Sequence, residues 1–272
     1  MGLVHGAGSE VSRLRRWSLY TFARYLEMPL LAGAYHLLRG RYQRLGRSRA
    51  ARALVAALGA PFAYAGDTSR ALPAPQVLDL IERLPGQIAV GPCRCRAAHR
   101  GCDHPLETDL VIHAGVDAWM RAFPHEYRII DRAEAQRIVR ECSALGMWHM
   151  VFVHCPIAEH GHAPKGHDHG PSAHGWDLGH EYVICNCCTC GCVPYILNRE
   201  LGQRVYPLLP GEYVAHTEAS RCTGDGACLA ACPFQARALA DGRAVLVDTC
   251  FGCGLCAAAC PEGAITMQAR GA

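Results

Sequence analysis

The chain has 272 residues, of which 17 are cysteine and half are hydrophobic, and its formal net charge is +3 at pH 7. A charge this small gives no argument for nucleic-acid binding. The odd number of cysteines, clustered as C-x-C and C-x2-C, argues against the disulfide framework of a secreted protein and favours metal-bound thiolates in a reducing compartment. No run of about 18 uncharged apolar residues occurs, so no transmembrane helix is predicted and we expect a cytoplasmic location.

Residues 1–74 are predicted to form a basic helical segment followed by a linker. Apolar residues recur at helical spacing among arginines over 12–39, and we expect Pro29 to kink or break that helix. The arginines form either the solvated face of a helix packed on the core, which we favour, or a weak contact with a membrane surface. A second short helix is predicted over 50–58, and 60–74 is predicted to be the linker.

Residues 75–205 are predicted to form a small α/β domain rich in cysteine. Its loop 154–180 carries many histidines among glycines and prolines, and we favour a solvated insertion over a metal site there. Asp131 and Glu134 indicate a capped helix start. The expected elements are helices over 75–84, 132–145 and 193–201 and strands over 88–90, 110–114 and 148–153.

The cysteines of this domain fall into two sequence groups, C-x-C-x6-C and five cysteines within eight residues. Neighbouring thiols make poor disulfide partners because their Cβ vectors diverge, so a metal cluster is the simpler explanation. We predict that this domain binds one or two iron–sulfur clusters, with Asp109 as a reserve ligand and zinc as the alternative metal. Cys142 is expected to be a buried apolar residue. The ligand pool is Cys93, Cys95, Cys102, Cys185, Cys187, Cys188, Cys190 and Cys192.

Residues 213–272 contain two aligned cysteine runs. The second reads C-x2-C-x2-C-x3-C-P, the pattern that binds cubane iron–sulfur clusters, with Gly252 and Gly254 where the backbone passes close to the cluster. Asp225 occupies the position in the first run that Cys253 occupies in the second. Residues 241–247 predict a turn and a strand between the halves. The runs are Cys222, Cys228 and Cys232 before Pro233, and Cys250, Cys253, Cys256 and Cys260 before Pro261.

These runs resemble bacterial dicluster ferredoxins over about residues 213–270. The resemblance implies two β-hairpins and two short helices around two clusters, in a chain that is α+β as a whole. Cross-ligation gives one [4Fe–4S] cluster to Cys232, Cys250, Cys253 and Cys256. The other takes Cys222, Cys228 and Cys260, with Asp225 as the candidate fourth ligand. Because a carboxylate holds iron less firmly than a thiolate, this second cluster is predicted to be either an Asp-ligated [4Fe–4S] or a [3Fe–4S] cluster.

The middle domain resembles bacterial iron–sulfur proteins that carry G-P-C-x-C-R, C-x-H-P-x-E-T-C and C-N-C-C-x-C-x-C before a C-terminal dicluster ferredoxin. This resemblance implies that the two domains work together. The present sequence departs from it at Asp109, where a cysteine is expected.

The first functional hypothesis is an iron–sulfur electron carrier or redox subunit that serves a partner oxidoreductase. The second is an oxidoreductase whose substrate binds an open iron of the middle domain, and the third is a redox or metal sensor. No Rossmann glycine pattern, P-loop or C-x2-C-H haem site occurs, so flavin, nucleotide and c-type haem are not supported, and no catalytic side chain is predicted.

Overall fold

The structure is a computed structural model, and it describes residues 25–57, 70–113, 123–154, 181–203 and 208–271, together with Thr21, Val116, Trp119, Met120 and Tyr206. Residues 155–180 of the predicted histidine-rich loop, and residues 1–20, 22–24 and 58–69 of the predicted N-terminal segment, lie outside these residues. Within them, no helix has both the length and the apolar character needed to cross a membrane.

The described helices agree closely with the predicted ones. Pro29 lies in the first turn of α1, where its missing N–H is not needed. Asp131 caps α5 as predicted, because its Oδ1 accepts a hydrogen bond from the backbone N of Glu134 at 2.7 Å. Residues 49–57 are also helical. The helices with printed bounds are α1 (Glu27–Leu38), α2 (Gln43–Gly46), α3 (Ala74–Arg83), α4 (Arg94–His99), α5 (Arg132–Ala144), α6 (Val193–Leu201), α7 (Ala227–Ala230) and α8 (Leu255–Ala259).

Six strands form one sheet in the order β1-β5-β6-β3-β2-β4, and every pair is antiparallel. The middle domain is therefore α+β, like the chain as a whole, and the expected α/β arrangement is wrong for it. The sequence analysis does not predict β6, because its alternating cysteines indicate metal ligands and not a strand. The sheet contains β1 (Arg70–Leu72), β2 (Ile88–Pro92), β3 (Glu107–His113), β4 (Arg128–Ile130), β5 (Trp148–His154) and β6 (Glu181–Cys187).

Strand β1 corrects the last part of the predicted linker over 60–74, of which residues 60–69 lie outside the described residues. Its three residues are buried and pair with β5, with Ala71 opposite Met150. Three residues are too few to show a strand pattern in the sequence, so only the partner strand decides their conformation.

The sheet separates two apolar cores. On one face, α3 and α5 pack against side chains of β2, β3 and β5. On the other face, α1 and α6 pack around Trp148, which is fully buried. This second core also contains Phe234, Cys253 and Leu255 from the C-terminal segment. The middle and C-terminal parts of the chain therefore share one core.

The C-terminal segment has two short helices, α7 and α8, and two antiparallel ribbons. Strands β8 (Arg237–Ala240) and β9 (Arg243–Leu246) form the predicted hairpin. Its turn has φ of 50° at Asp241 and 72° at Gly242, the positive values that a tight hairpin turn requires. The other ribbon pairs β7 (Tyr213–Thr217) with β10 (Ile265–Ala269), so it joins the two ends of the segment and is not a second hairpin.

Candidate metal centres

A cavity of the C-terminal segment is lined by four cysteines, Cys232, Cys250, Cys253 and Cys256. The sequence assigned these same four residues to one cluster. The chain passes around the cavity with positive φ at Gly252 (79°) and Gly254 (78°). A Cβ at Gly252 would lie 2.5 Å from the carbonyl oxygen of Tyr213, so a side chain there would displace the backbone.

The surroundings of this cavity fit a negatively charged group. Burial raises the pKa of Cys253 to about 12 and that of Cys256 to about 11, so these thiols lose their protons only when a metal replaces them. The backbone N of Ala236 donates to Cys232 Sγ at 3.4 Å. Nη1 of the buried Arg237 donates to Cys256 Sγ at 3.9 Å, while its Nε has no partner among the described residues. An iron–sulfur cluster would accept such donors.

The first cysteine run supplies candidate ligands for a second centre, related to the first by the internal repeat. Cys222 and Cys260 pack near the buried Cys228 in one small core, which also contains Cys250 and Cys256. Cys260 Sγ accepts a hydrogen bond from the backbone N of Ala264, four residues later, at 3.3 Å. Cys232 Sγ accepts the equivalent hydrogen bond from the backbone N of Ala236. Cys222 Sγ accepts from the backbone N of Ala244 at 3.4 Å.

Asp225, the candidate fourth ligand, is exposed. Its Oδ1 accepts from the backbone N of Ala227 at 2.8 Å and its Oδ2 from Thr223 Oγ1 at 3.5 Å. The carboxylate thus holds the start of α7. Gly226 (φ 78°) precedes α7 as Gly254 precedes α8, so the two halves keep the same backbone although their ligands differ.

The eight thiols of the ligand pool predicted for the middle domain lie in two groups. Side chains of successive strand residues point to opposite faces of a sheet, so β6 directs Cys185 and Cys187 to one face. These two contact the core shared with the C-terminal segment, whereas Cys188, just beyond the strand, contacts the opposite core. Five closely spaced cysteines in the sequence therefore supply two distinct sites.

The first group, the five-thiol group, is Cys93, Cys95, Cys185, Cys187 and Cys192. Cys93 contacts Cys95, Cys95 contacts Cys192, and Cys192 contacts Cys187. The hydrogen bond with Cys95 and burial together raise the pKa of Cys93, and the other four thiols also have raised pKa values. Such a group keeps its protons until a cation binds.

Asp109 lies beside the five-thiol group. Its Oδ1 accepts from Cys185 Sγ at 3.1 Å and its Oδ2 from Tyr127 Oη at 2.7 Å. Burial raises the pKa of the Asp109 carboxyl, opposed by these two hydrogen bonds. The reserve ligand proposed from the sequence is therefore close to the thiols and already partnered.

The second group, the thiol–histidine group, is Cys102, His104, Cys188 and Cys190, whose ligand atoms all lie within 4.8 Å of one another. Sequence reasoning counted only thiols and missed His104. The signal was available, because the histidine follows Cys102 by two residues in the C-x-H-P motif.

Arg96 on α4 connects the two groups. Its Nη1 donates to the carbonyl oxygen of Asn186 at 2.9 Å and to Cys188 Sγ at 3.7 Å, and its Nη2 donates to Thr108 Oγ1. Burial disfavours the charge, but the neighbouring sulfurs of Cys93 and Cys188 outweigh it and raise the pKa of Arg96. The guanidinium therefore stays charged next to both thiol groups.

Cys142 on α5 is 1% exposed within the core on the α3 and α5 face of the sheet, as predicted for an apolar residue. Burial raises its pKa to about 11. It provides a buried cysteine that belongs to neither ligand group.

Comparison with known proteins assigns only the C-terminal segment. Residues 215–261 match the family model of the 4Fe-4S dicluster domain, which covers both cysteine runs through Pro261. No curated protein and no solved structure matches the chain. Together with the four-cysteine cavity, this match makes the C-terminal segment similar to 4Fe-4S dicluster domains and supports an iron–sulfur electron-transfer role.

Proposed function

We propose that this protein relays single electrons to or from a partner oxidoreductase through iron–sulfur clusters in both its middle and its C-terminal parts. Such clusters exchange single electrons at potentials set by their ligands, hydrogen bonds and exposure. The observation that carries the proposal is the core on the α1 and α6 face of the sheet, which contains thiols from both parts of the chain.

The C-terminal ligand sets follow the cross-ligation of the two runs. A [4Fe–4S] cluster is bound by Cys232, Cys250, Cys253 and Cys256, supported by the cavity that these residues line. The other cluster is bound by Cys222, Cys228 and Cys260, with Asp225 as the fourth ligand of a [4Fe–4S] form or without it as [3Fe–4S]. The hydrogen bonds that occupy both oxygens of Asp225 favour the three-iron form.

In the middle domain, four residues of the five-thiol group bind one further cluster. The five thiols come from the start of α4, from β6 and from the residue before α6, and their contacts form an open line, in contrast to the closed set of the thiol–histidine group. Asp109 remains next to Cys185 as a buried polar neighbour that influences the potential of the cluster.

Aromatic side chains fill the space between the five-thiol group and the four-cysteine cavity. Tyr195 lies one helical turn after Cys192, and its hydroxyl donates to the carbonyl oxygen of Pro233 at 2.6 Å. Phe234, the next residue, stacks on Phe251 with ring centroids 4.2 Å apart. This packed connection between the two sites supports electron transfer from one to the other.

The hairpin of β8 and β9 is the proposed approach for the redox partner. Leu239, Leu246 and Val247 are exposed there at 44%, 40% and 60% of their surfaces. Leu246 also lines the four-cysteine cavity. A partner protein that covers these apolar side chains would therefore lie close to the cluster in the four-cysteine cavity.

Electron paramagnetic resonance of anaerobic, fully reduced protein tests the relay. We expect the broadened resonance of the cluster in the four-cysteine cavity to narrow in Cys95→Ser, which removes the middle cluster and leaves only the spin–spin coupling between the two C-terminal clusters. Cys142→Ala is the matched control and should keep the broadening, because Cys142 lies in the opposite core. An unchanged signal in Cys95→Ser, with the middle cluster lost, would contradict the proposal.

Asp225→Cys is expected to convert the second C-terminal cluster into an all-cysteine [4Fe–4S] cluster, because thiolate holds iron more firmly than carboxylate. Iron analysis should rise by about one atom per chain if the native form is [3Fe–4S], with loss of the oxidised three-iron resonance. Asp79→Cys, at an exposed position of α3, is the control for an added thiol. Identical spectra for the native protein and Asp225→Cys would argue against this assignment.

A further inference from the structure

We propose that Cys102, His104, Cys188 and Cys190 bind a single tetrahedral zinc ion, separate from the iron–sulfur clusters. The sequence analysis assigns the three cysteines to the iron–sulfur ligand pool and does not include His104. The proposal therefore adds a different metal to the chain and reduces the thiols available for iron.

The distances within the thiol–histidine group fit one metal ion. Cys188 Sγ lies 3.5 Å from Cys102 Sγ and 3.4 Å from Cys190 Sγ. His104 Nδ1 lies 3.3 Å from Cys102 Sγ and 3.2 Å from Cys190 Sγ. Zn–S bonds of about 2.3 Å and Zn–N bonds of about 2.0 Å in a tetrahedron place sulfurs about 3.8 Å apart and nitrogen about 3.6 Å from sulfur.

A cubane does not fit the same atoms. Its four protein ligands bind four different irons, with inorganic sulfides between them, so the ligand atoms lie much farther apart than those bound to one ion. The thiol–histidine group would have to open widely to hold such a cluster. Each of its ligand atoms already lies within contact distance of at least two others.

The ligand chemistry favours zinc. Three thiolates and one imidazole form a closed structural zinc set with no open position for a substrate. Zn²⁺ with three thiolates and a neutral histidine has a net charge of −1, and the buried Arg96 donates to Cys188 Sγ at 3.7 Å. The Arg96 guanidinium thus offsets the net negative charge of the metal site.

The loops that carry the ligands are held together before any metal binds. His99 accepts from the backbone N of Gly101 through Nδ1, and its Nε2 lies 2.9 Å from the carbonyl oxygen of Gly191. Tyr35 stacks on His99 with ring centroids 3.7 Å apart. A Cβ at Gly191 would lie 3.0 Å from Cys102 Cβ, so the two loops approach as closely as glycine permits.

The zinc ion would have a structural role in the electron-transfer protein. It ties the loop after α4 to the turn before α6. Helix α4 and the residues that precede α4 and α6 also carry Cys93, Cys95 and Cys192 of the five-thiol group. A fixed tetrahedral ion at this junction holds the ligands of the neighbouring cluster in place without taking part in electron transfer.

The test uses the full-length protein, produced with both iron and zinc supplied and purified without oxygen. We expect about one zinc per chain by mass spectrometry, and three sulfurs with one nitrogen around it by X-ray absorption. His104→Ala should lower zinc affinity, measured by chelator competition, by at least about 100-fold, since it removes a ligand and not an outer partner. His125→Ala, at an exposed position, should leave it unchanged.

His104→Cys covers the case in which His104→Ala fails to fold. This variant should keep the zinc and change its coordination to four sulfurs, with the cluster resonances intact. Absence of zinc from the native protein, iron in its place, or zinc that keeps its nitrogen ligand in His104→Cys would each overturn the proposal. Because this experiment measures zinc binding, a result that contradicts the zinc site does not contradict the electron-transfer proposal.

Discussion

Cys253→Ser is expected to disrupt the four-cysteine cluster selectively and to lower the iron content by at least about one atom per chain, because the [4Fe–4S] form loses the iron at this corner, while the other centres stay loaded. Serine oxygen is a harder ligand than thiolate and stays protonated, so it cannot hold this corner of the cluster. Cys253 is 8% exposed in the core that also contains Trp148 and Phe234, so no water or other side chain can replace the lost thiolate there without disturbing the packing.

Iron and acid-labile sulfide analysis of the anaerobic protein, together with electron paramagnetic resonance, measures this loss. The resonance of the four-cysteine cluster should vanish and that of the second C-terminal cluster should remain. Cys142→Ala, another buried cysteine, should keep the full iron content. A Cys253→Ser protein with unchanged iron and sulfide would refute the ligand set.

Arg96→Met is expected to destabilise the folded protein by about 3–5 kcal/mol, the usual cost of removing one partner from a buried charged network. The methionine keeps the aliphatic volume but leaves the oxygens of Asn186 and Thr108 without their donor. It also leaves the sulfurs of Cys93 and Cys188 without the nearby positive charge.

Anaerobic thermal unfolding at one fixed heating rate should show this as a fall in the midpoint of roughly 5–10 °C for a chain of this size. Arg140→Met on the exposed face of α5 should change the midpoint little. The unfolding midpoint of Arg96→Lys should lie between those of Arg96→Met and Arg140→Met, because lysine keeps the charge but not the planar fork of donors. Equal midpoints for Arg96→Met and Arg140→Met would contradict the role given to this guanidinium.

Helices and hairpins of this chain could be predicted where their signals are local. The helix over 193–201 was predicted with its final bounds, and Asp131 was identified as a cap because the capping residues lie within four positions of each other. Strands β1 and β6 were not predicted. Each acquires its conformation from β5, which lies far away in the sequence, and neither shows a periodic pattern of apolar residues.

The same division applies to the metal centres. The sequence by itself determined the two C-terminal cysteine runs, because ligands two or three residues apart can reach one cluster only with this spacing. Only the tertiary structure decided the sorting of the middle-domain thiols. The pleat of β6 directs Cys185 and Cys187 to one face of the sheet, whereas Cys188, just beyond the strand, contacts the opposite core. The loop after α4 then brings Cys102 and His104 next to Cys188.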